Sequence, residues 1–371
     1  MRIIFAAGGT GGHINPALAA AGEIRERYPE AEILFIGTKD KMEAKLVPPA
    51  GFAFEGISMS GFQRKISLEN IIKNIKTIWR VLFSGFAVRK IIKKFNPDVV
   101  VGFGGYVSGP VVRAAAKMGI RTAIHEQNAF PGVTNKLLAG KADAVMLAVD
   151  KAKEYLECKN EPVVTGLPVR NEILRADRAF ARAEMGIADE IPVVFSFGGS
   201  LGAKTINNAM VDIISEYHNK GICRFIHGYG QYGKWMPDAL REKSVDVDGN
   251  SNVDVREYIY DMDKCLAAAD IVICRSGAST LSELQAAGKA SILIPSPNVS
   301  ENHQYHNAMT LVDAGAAYII EEKDLTHEKL SGLLDKLLSD SSLRRKMGNN
   351  AKKLAVADSQ KIIADIITSL I

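Results

Sequence analysis

The sequence predicts an α/β protein made of two Rossmann-like, doubly wound parallel-sheet domains. First, its 371 residues are enough for about two domains of the usual size. Second, short apolar runs rich in Val and Ile alternate with helical patterns along the chain, as in parallel sheets buried on both faces. Third, a strand, a glycine loop and a helix open each half, with GGTGG at residues 8–12 and GGSLGAK at residues 198–204.

The apolar runs place six strands in each half. The first half has Ile3–Ala7, Glu32–Ile36, Asp98–Phe103, Thr122–His125, Ala144–Ala148 and Pro162–Thr165. The second half has Pro192–Phe197, Cys223–His227, Asp254–Tyr258, Ile271–Cys274, Ser291–Pro295 and Ala317–Ile320. Helical patterns such as Asn15–Arg27 and Thr205–His218 separate them, which favours right-handed βαβ units. We expect domains at 1–166 and 167–354, with a C-terminal helix at about 355–371 that packs back on the first domain.

Composition narrows the possible function classes. The formal net charge is only +4, and no dense basic patch with interleaved aromatics marks a nucleic-acid partner. The four cysteines form no CxxC pair, which is typical of reduced thiols in a reducing compartment. No apolar run approaches the roughly 20 residues that a membrane-spanning helix needs. We therefore expect a soluble or peripheral protein on the cytoplasmic side.

The glycine loops are suited to binding phosphate. A loop between a strand and a helix presents backbone N–H groups at the positive end of the helix dipole, and glycine allows close approach. The dinucleotide fingerprint GxGxxG fails because its third glycine falls on Ile14, and no Gly-Lys-Ser/Thr completes a Walker A motif. Two such loops favour a ligand over plain tight turns. Open parallel sheets bind ligands at their strands' carboxyl ends, so we expect the domains to face each other across a cleft.

His13 follows the first glycine loop and is a candidate general base. The dipole at a helix start disfavours an imidazolium, which leaves a neutral ring able to accept a proton. The alternative is a histidine that only caps or packs.

A second polar cluster, CRSGASTLSELQAAG at residues 274–288, also ends a strand and starts a helix, with Glu283 placed to hold two ribose hydroxyls. SPNVSENHQYHN at residues 296–307 then offers the amide and imidazole groups that a sugar requires.

The chain closely resembles the MurG family of glycosyltransferases in seven motifs that occur in the family's order. These are GGTGGHINPALA, DVVVGFGGYVSGP, HEQNAFPGVTNKLLA, GLPVR, FGGSLGAKTIN, CRSGASTLSEL and NHQYHNA, and the likeness runs to about Glu321. The resemblance implies a GT-B fold and an inverting transfer of N-acetylglucosamine from UDP-N-acetylglucosamine (UDP-GlcNAc). The acceptor would be undecaprenyl-diphospho-N-acetylmuramyl pentapeptide (lipid I), and the product would be lipid II of peptidoglycan synthesis, needed for cell shape and division. It implies neither a cofactor nor a metal.

Site residues follow from the same resemblance. The donor set it implies is Thr10, Gly11, Gly12, Asn128, Arg170, Ser200, Ile259, Ala278, Ser279, Thr280, Leu281, Ser282, Glu283 and Gln304, with Gln285 or His303 as further sugar contacts. The acceptor set is His13, Tyr106, Ser108, Glu126 and Asn135. We expect His13 to be the catalytic base, with Glu126 as the second candidate for that role.

Other sequence features have simpler readings. Asp246 and Asp248 form a DxD pair like a metal site, but DVDGNSNVD has the composition of a turn. His303 and His306 resemble a metal pair but stand among amides. The segment 66–95 mixes apolar, aromatic and basic residues at helical spacing. We expect Leu68–Phe83 to lie on an anionic membrane surface and Phe86–Phe95 to pack on the sheet.

Competing functions stay open at this point. A UDP-GlcNAc 2-epimerase uses a related two-domain fold on the same donor and needs no acceptor elements. A non-catalytic sugar-nucleotide binder or membrane recruiter would need only one half, whereas both are present here. Within the same fold, a transferase acting on another lipid is a further alternative. Other cell-wall enzymes are partners that the resemblance allows.

Overall fold

The computed structural model describes residues 1–58 and 85–371. These residues form two compact units, Met1–Pro168 with Val356–Ile371, and Val169–Ala355. The segment expected to lie on a membrane, Leu68–Phe83, is outside the described residues. Within the described ranges, no helix has both the length and the apolar character needed to cross a membrane.

The first unit contains a parallel sheet of seven strands in the order β3-β2-β1-β4-β5-β6-β7. Its strands are β1 Arg2–Ala6, β2 Glu32–Thr38, β3 Ala53–Ile57, β4 Val99–Gly102, β5 Arg121–Glu126, β6 Ala144–Leu147 and β7 Val163–Val164. Its helices are α1 Gly11–Arg27, α2 Met42–Leu46, α3 (described over residues 85–95), α4 Gly105–Lys117 and α5 Val133–Ala139. The order reverses at β1 and β4, so the loops after these two central strands lie side by side.

The second unit contains a parallel sheet of six strands in the order β10-β9-β8-β11-β12-β13. Its strands are β8 Val193–Phe197, β9 Arg224–Gly228, β10 Val253–Arg256, β11 Ile271–Cys274, β12 Ala290–Leu293 and β13 Ala317–Ile319. Its helices are α6 Asn171–Arg175, α7 Arg178–Glu184, α8 Lys204–Tyr217, α9 Met236–Glu242, α10 Met262–Ala268, α11 Ala278–Ala287, α12 His303–Asp313, α13 His327–Ser339 and α14 Ser341–Leu354. The order reverses at β8 and β11, which precede the second glycine loop and α11. The expectation of two doubly wound parallel sheets is confirmed.

The C-terminal helix α15, Ser359–Ser369, belongs to the first unit. It packs against α1, and Ile363 and Ile367 are fully buried in the same core as Ile3 and Phe5 of β1. In α3, Val88 and Ile92 are also buried against the sheet, as expected for Phe86–Phe95, although Phe86 itself is exposed. Apolar burial of this kind contributes roughly 1.5–3 kcal/mol for each large side chain.

The strand β3 has no counterpart among the predicted strands. Its sequence AFEGI contains a glycine and a glutamate, and it lies at the edge of the sheet with one side exposed. Edge strands need not be apolar on both faces, and β3 therefore does not form the continuous apolar run that predicts a buried strand.

Candidate active site

The first glycine loop joins β1 to α1 and presents free amides. The N–H groups of His13 and Ile14 both bond to the carbonyl of Thr10, and Gly9 N donates to Glu43 Oε2 at 3.3 Å. The N–H groups of residues 10–12 have no acceptor among the described residues. Unpaired amides at a helix start form an anion site, so three of the predicted ligand residues can act through their backbone.

Glu43 supports this loop, although no sequence motif predicts that role. Its carboxylate is buried, accepts hydrogen bonds from Thr38 N at 2.8 Å and from Gly9 N, and also contacts the Thr38 hydroxyl. A Cβ at Gly8 would lie 2.7 Å from Glu43 Oε1. Glu43 comes from α2, outside any glycine motif, so only the packing of α2 on β2 reveals its role.

A further glycine loop, residues 104–105 between β4 and α4, packs against the first. Both glycines have positive φ, and a Cβ on Gly105 would lie 2.1 Å from the carbonyl oxygen of Gly8. A Cβ on Gly104 would lie 2.7 Å from His13 Nδ1. Glycine is therefore required at both positions, and their backbone fixes one side of the His13 ring.

His13 is in contact with a buried side-chain network. Its Nδ1 lies 3.0 Å from Gln127 Oε1, and Gln127 Nε2 lies 3.2 Å from His125 Nδ1. His125 is fully buried, and burial lowers the pKa of its ring to about 4. His13 is one of the site residues predicted from the sequence, whereas Gln127 and His125 are not. The two-residue period of a strand could have found them, because residues 125 and 127 share a face that Glu126 does not.

Glu126 lies on the opposite face and is enclosed by donors. Its Oε1 accepts from the backbone N–H and the amide of Asn128 at 2.9 and 3.1 Å. Its Oε2 accepts from Gly132 N at 3.1 Å and Asn135 Nδ2 at 2.8 Å. The side chain is only 2% exposed. These contacts bring three predicted residues together, and they favour Glu126 as an organiser of the loop before α5 over its role as a base.

The remaining predicted acceptor residues differ in exposure. Tyr106 is half-buried at the start of α4. Ser108 is fully buried, and its hydroxyl lies 2.7 Å from Ala6 O and accepts a hydrogen bond from Gly104 N. Ser108 therefore braces the loops of β1 and β4 from inside. Asn135 is also buried, and its Oδ1 has no partner among the described atoms.

In the second unit, the glycine loop after β8 places Ser200 at the surface. Gly199 and Gly202 have positive φ, and a Cβ on Gly202 would lie 2.1 Å from the carbonyl oxygen of Tyr229. Ser200 is exposed, and its carbonyl accepts from Gln231 N at 3.2 Å. The loop is thus held by backbone contacts, and the Ser200 hydroxyl remains at the exposed end of the strand.

The start of α11 offers a second set of amides. The N–H groups of residues 278–280 have no acceptor among the described residues. Leu281 differs, because its N–H bonds to Gly277 O at 3.0 Å and its side chain is buried in the core. Ser282 is half-buried. The anion-binding part of this motif is therefore the first three residues of the helix.

Glu283 and Arg170 are paired. Arg170 Nε and a terminal guanidinium nitrogen both lie 2.9 Å from Glu283 Oε1. Burial raises the pKa of the Glu283 carboxyl, and the Arg170 charge works against that rise. Oε2 accepts no hydrogen bond from the described residues, so one carboxylate oxygen remains for a ligand hydroxyl. Two predicted donor residues that are 113 positions apart in the sequence thus form one ion pair.

The predicted sugar contact Gln304 lies in α12, and the predicted base contact Ile259 lies between β10 and α10. Gln304 Oε1 accepts from Ser296 N at 2.9 Å, which orients the amide, and Ser276 Oγ donates to Gln304 O at 2.8 Å. Four residues of the neighbouring segment line part of a cavity of ≈ 340 Å³, namely Pro295, Pro297, Asn302 and Tyr305. Ile259 has a buried side chain, so only its backbone can meet a base, as the resemblance implies.

The DxD pair forms a turn. Asp246 Oδ1 accepts from the N–H groups of Asp248 and Gly249 at 3.1 and 2.8 Å, and Asp248 pairs with Arg241 at 3.0 Å. Within residues 1–58 and 85–371, no group of three or more His, Cys, Asp or Glu side chains is arranged to hold a metal ion.

Comparisons with known proteins cover nearly the whole chain. Residues 3–147 match the glycosyltransferase family 28 N-terminal domain, and residues 193–364 match the family's C-terminal domain. A relative from Desulforamulus reducens is 44% identical over 373 residues, which is 99% of each chain. It is named UDP-N-acetylglucosamine--N-acetylmuramyl-(pentapeptide) pyrophosphoryl-undecaprenol N-acetylglucosamine transferase.

Two solved structures are informative. The crystal structure of Acinetobacter baumannii MurG superposes with a TM-score of 0.80 at 30% identity and covers 99% of both chains. A UDP-GlcNAc 2-epimerase from Neisseria meningitidis has a TM-score of 0.67 at 13% identity over 100% of both chains, which shows the fold alone. The GT-B fold expected from the sequence is confirmed. The chain belongs to glycosyltransferase family 28 and, within it, to the MurG family of N-acetylglucosamine transferases.

Proposed function

We propose that the chain transfers N-acetylglucosamine from UDP-GlcNAc to lipid I and forms lipid II in peptidoglycan synthesis. The observation that carries this function is its similarity over the full length to transferases named for this reaction. The geometry of each unit fits the assignment, since each has unpaired helix-start amides beside exposed polar side chains. The family is inverting, so one displacement at the anomeric carbon completes the transfer.

The donor binds, in this proposal, at the second unit. The amides of residues 278–280 and the hydroxyl of Ser200 stabilise the diphosphate as negative charge develops on it. Glu283 accepts hydrogen bonds from the ribose hydroxyls while Arg170 holds its other oxygen. Gln304 donates from its amide to the sugar, and the backbone of Ile259 meets uracil.

The acceptor is activated at the first unit. His13 removes the proton from the acceptor hydroxyl as its oxygen attacks the anomeric carbon. The new carbon–oxygen bond forms as the bond to UDP breaks, and UDP leaves with the electron pair. The amides of residues 10–12 hold an anionic phosphate group, and Tyr106, Ser108, Glu126, Asn128 and Asn135 shape the surrounding surface.

The protein attaches peripherally to the cytoplasmic face of the membrane in this proposal. Its acceptor is anchored in lipid, so the catalytic unit must reach an anionic surface. Among the described residues, α3 presents Arg89, Lys90, Lys93 and Lys94 with the exposed ring of Phe86. Each basic residue near such a surface contributes roughly 1 kcal/mol of attraction. Flotation with phosphatidylglycerol vesicles, compared with phosphatidylcholine vesicles, tests this attachment, and equal binding to both would contradict it.

The experiment that tests the reaction uses radiolabelled UDP-GlcNAc and a short-chain lipid I analogue. The assay buffer contains a chelator and no divalent metal. Transfer of label to the lipid supports the proposal. The epimerase alternative predicts a different result, which is conversion of the donor when no acceptor is present. Epimerised sugar in that control, with no labelled lipid, would replace the transferase assignment. A chelator that abolishes transfer would overturn diphosphate stabilisation by amides alone.

A further inference from the structure

The orientation of the Gln127 amide is fixed by its neighbours. Gln127 Nε2 lies 2.9 Å from Phe103 O and 3.1 Å from His125 O. Backbone carbonyls accept hydrogen bonds and never donate them, so the atom facing both must be the amide nitrogen. The amide oxygen of Gln127 therefore points the other way, towards His13.

This orientation decides the tautomer of His13. Its Nδ1 lies 3.0 Å from Gln127 Oε1, and that oxygen can only accept. Nδ1 must then carry the hydrogen. In a neutral imidazole one nitrogen is protonated and the other holds a lone pair, so the lone pair of His13 is on Nε2.

His125 blocks the reverse arrangement. Its Nε2 lies 3.0 Å from Gly166 O, so this nitrogen is the one that donates. Burial lowers the pKa of the ring to about 4, which keeps it neutral near pH 7 and leaves Nδ1 as an acceptor. That acceptor is 3.2 Å from Gln127 Nε2. The hydrogen bonds therefore all point one way: His13 donates to Gln127, the Gln127 amide nitrogen faces the His125 acceptor, and His125 donates to Gly166 O.

The glycine loop after β4 shields the last bond of this network. A Cβ on Gly104 would lie 2.7 Å from His13 Nδ1 and 3.3 Å from Gln127 Oε1. The backbone therefore packs directly on the hydrogen bond between the two side chains and leaves little room for a competing water. The glycines of DVVVGFGGYVSGP have a chemical consequence as well as a steric one.

We propose that Gln127, oriented by His125, is a positioning residue that holds His13 in the tautomer with a free Nε2. This inference rests on the proposed function, because Nε2 then receives the acceptor proton. As the acceptor oxygen bonds to the anomeric carbon and UDP departs, His13 becomes an imidazolium that still donates through Nδ1 to Gln127. The amide oxygen thus stabilises both the ground state and the charged ring.

Nitrogen NMR of protein labelled with ¹⁵N-histidine tests the assignment without any substrate. The His13 resonances are identified by their loss in His13→Gln. For the wild type above the titration range of the ring, we expect Nδ1 in the protonated, pyrrole-type range and Nε2 in the unprotonated, pyridine-type range. A protonated Nε2 in the wild-type protein overturns the proposal, whatever the variants do.

Gln127→Met removes the acceptor while keeping the side-chain length. We expect the His13 signals to move towards the Nε2–H tautomer and kcat to fall about 10–100-fold, with KM for UDP-GlcNAc within about threefold of wild type. Asn207→Leu is the matched control. It removes another buried amide beside a buried histidine, in the other unit, and should leave the His13 signals in place.

The two readouts separate the possible failures. An unchanged His13 tautomer in Gln127→Met overturns the role of Gln127. A shifted tautomer with unchanged kcat overturns its link to the reaction. If no acceptor is glycosylated even by the wild type, the proposed function fails, and the NMR result still decides the tautomer.

Discussion

The two glycine loops share a local sequence pattern but have different surroundings. In the first unit the loop packs over the buried carboxylate of Glu43, and its histidine is half-exposed at the end of a polar network. In the second unit a fully buried histidine, His227, lies 2.7 Å from Ser196 Oγ and 3.2 Å from Asn207 Oδ1. Asn207 then donates to Tyr229 O at 2.8 Å.

The difference separates two tasks. The network of the first unit ends on a half-exposed ring, and in the proposed mechanism that ring accepts a proton. The network of the second unit ends on a backbone carbonyl in the loop beside Gly202, so it only fixes loop geometry. The same supersecondary pattern therefore has a catalytic role in the first unit and a binding role in the second under the proposed function.

The largest expected effect is on turnover and comes from a substitution in the first unit. His13→Ala should lower kcat about 10²–10⁴-fold, the usual range for a general base, with little change in KM for UDP-GlcNAc. His327→Ala, an exposed histidine on α13, is the control and should retain wild-type turnover. Steady-state transfer assays measure both. Turnover of His13→Ala within a factor of about two of wild type would remove His13 as the base.

The next effect concerns donor affinity in the second unit. Glu283→Ala should weaken UDP binding about 10–100-fold, because hydrogen bonds to a charged group contribute about 1.5–3 kcal/mol. Isothermal titration with UDP measures it directly. Glu283→Gln should lose less, since its amide oxygen can still accept. Equal UDP affinity in wild type and Glu283→Ala would contradict the ribose assignment.

The pH dependence of the free energy of unfolding should be similar for the two units, because each contains a fully buried histidine. Burial lowers the pKa to about 4 for His125 and about 3 for His227, against about 6.5 in the unfolded chain. Folded rings stay neutral between pH 6.5 and 5 while unfolded ones bind protons. The stabilisation is present above about pH 6.5 and is lost as pH falls, by about 2 kcal/mol per histidine at pH 5.

Urea unfolding from pH 7 to 5 measures this loss. His227→Asn should be less stable at pH 7 but should show a pH slope smaller by about one proton. A variant slope equal to that of the wild type would mean that His227 is protonated equally in both states.

The smallest expected effect compares two serines. Ser108→Ala should lower the free energy of unfolding by about 1–1.5 kcal/mol, because it removes buried hydrogen bonds under the first loop. Ser200→Ala should change it by less than about 0.5 kcal/mol, since this residue is exposed, and should instead weaken UDP binding. The reverse order of stabilities would show that the loops are not braced as described.

Much of this protein can be predicted from its sequence. Buried parallel strands are continuous apolar runs in the sequence, and the glycine loops adopt backbone conformations that require glycine. Local sequence patterns therefore predict both. The donor and acceptor sets are instead implied by the resemblance that the seven ordered motifs carry. The strand β3 was not predicted, because an edge strand does not need a continuous apolar run.

The sequence by itself determined the fold class, the family and the position of His13. Only the tertiary structure decided what holds these parts. The contacts of Gly9 with Glu43, Arg170 with Glu283, Gly166 with His125, and Gln127 with His13 join residues 34 to 114 positions apart. Hydrogen bonds of this kind depend on distance in space and on which atoms can donate, and a linear pattern records neither.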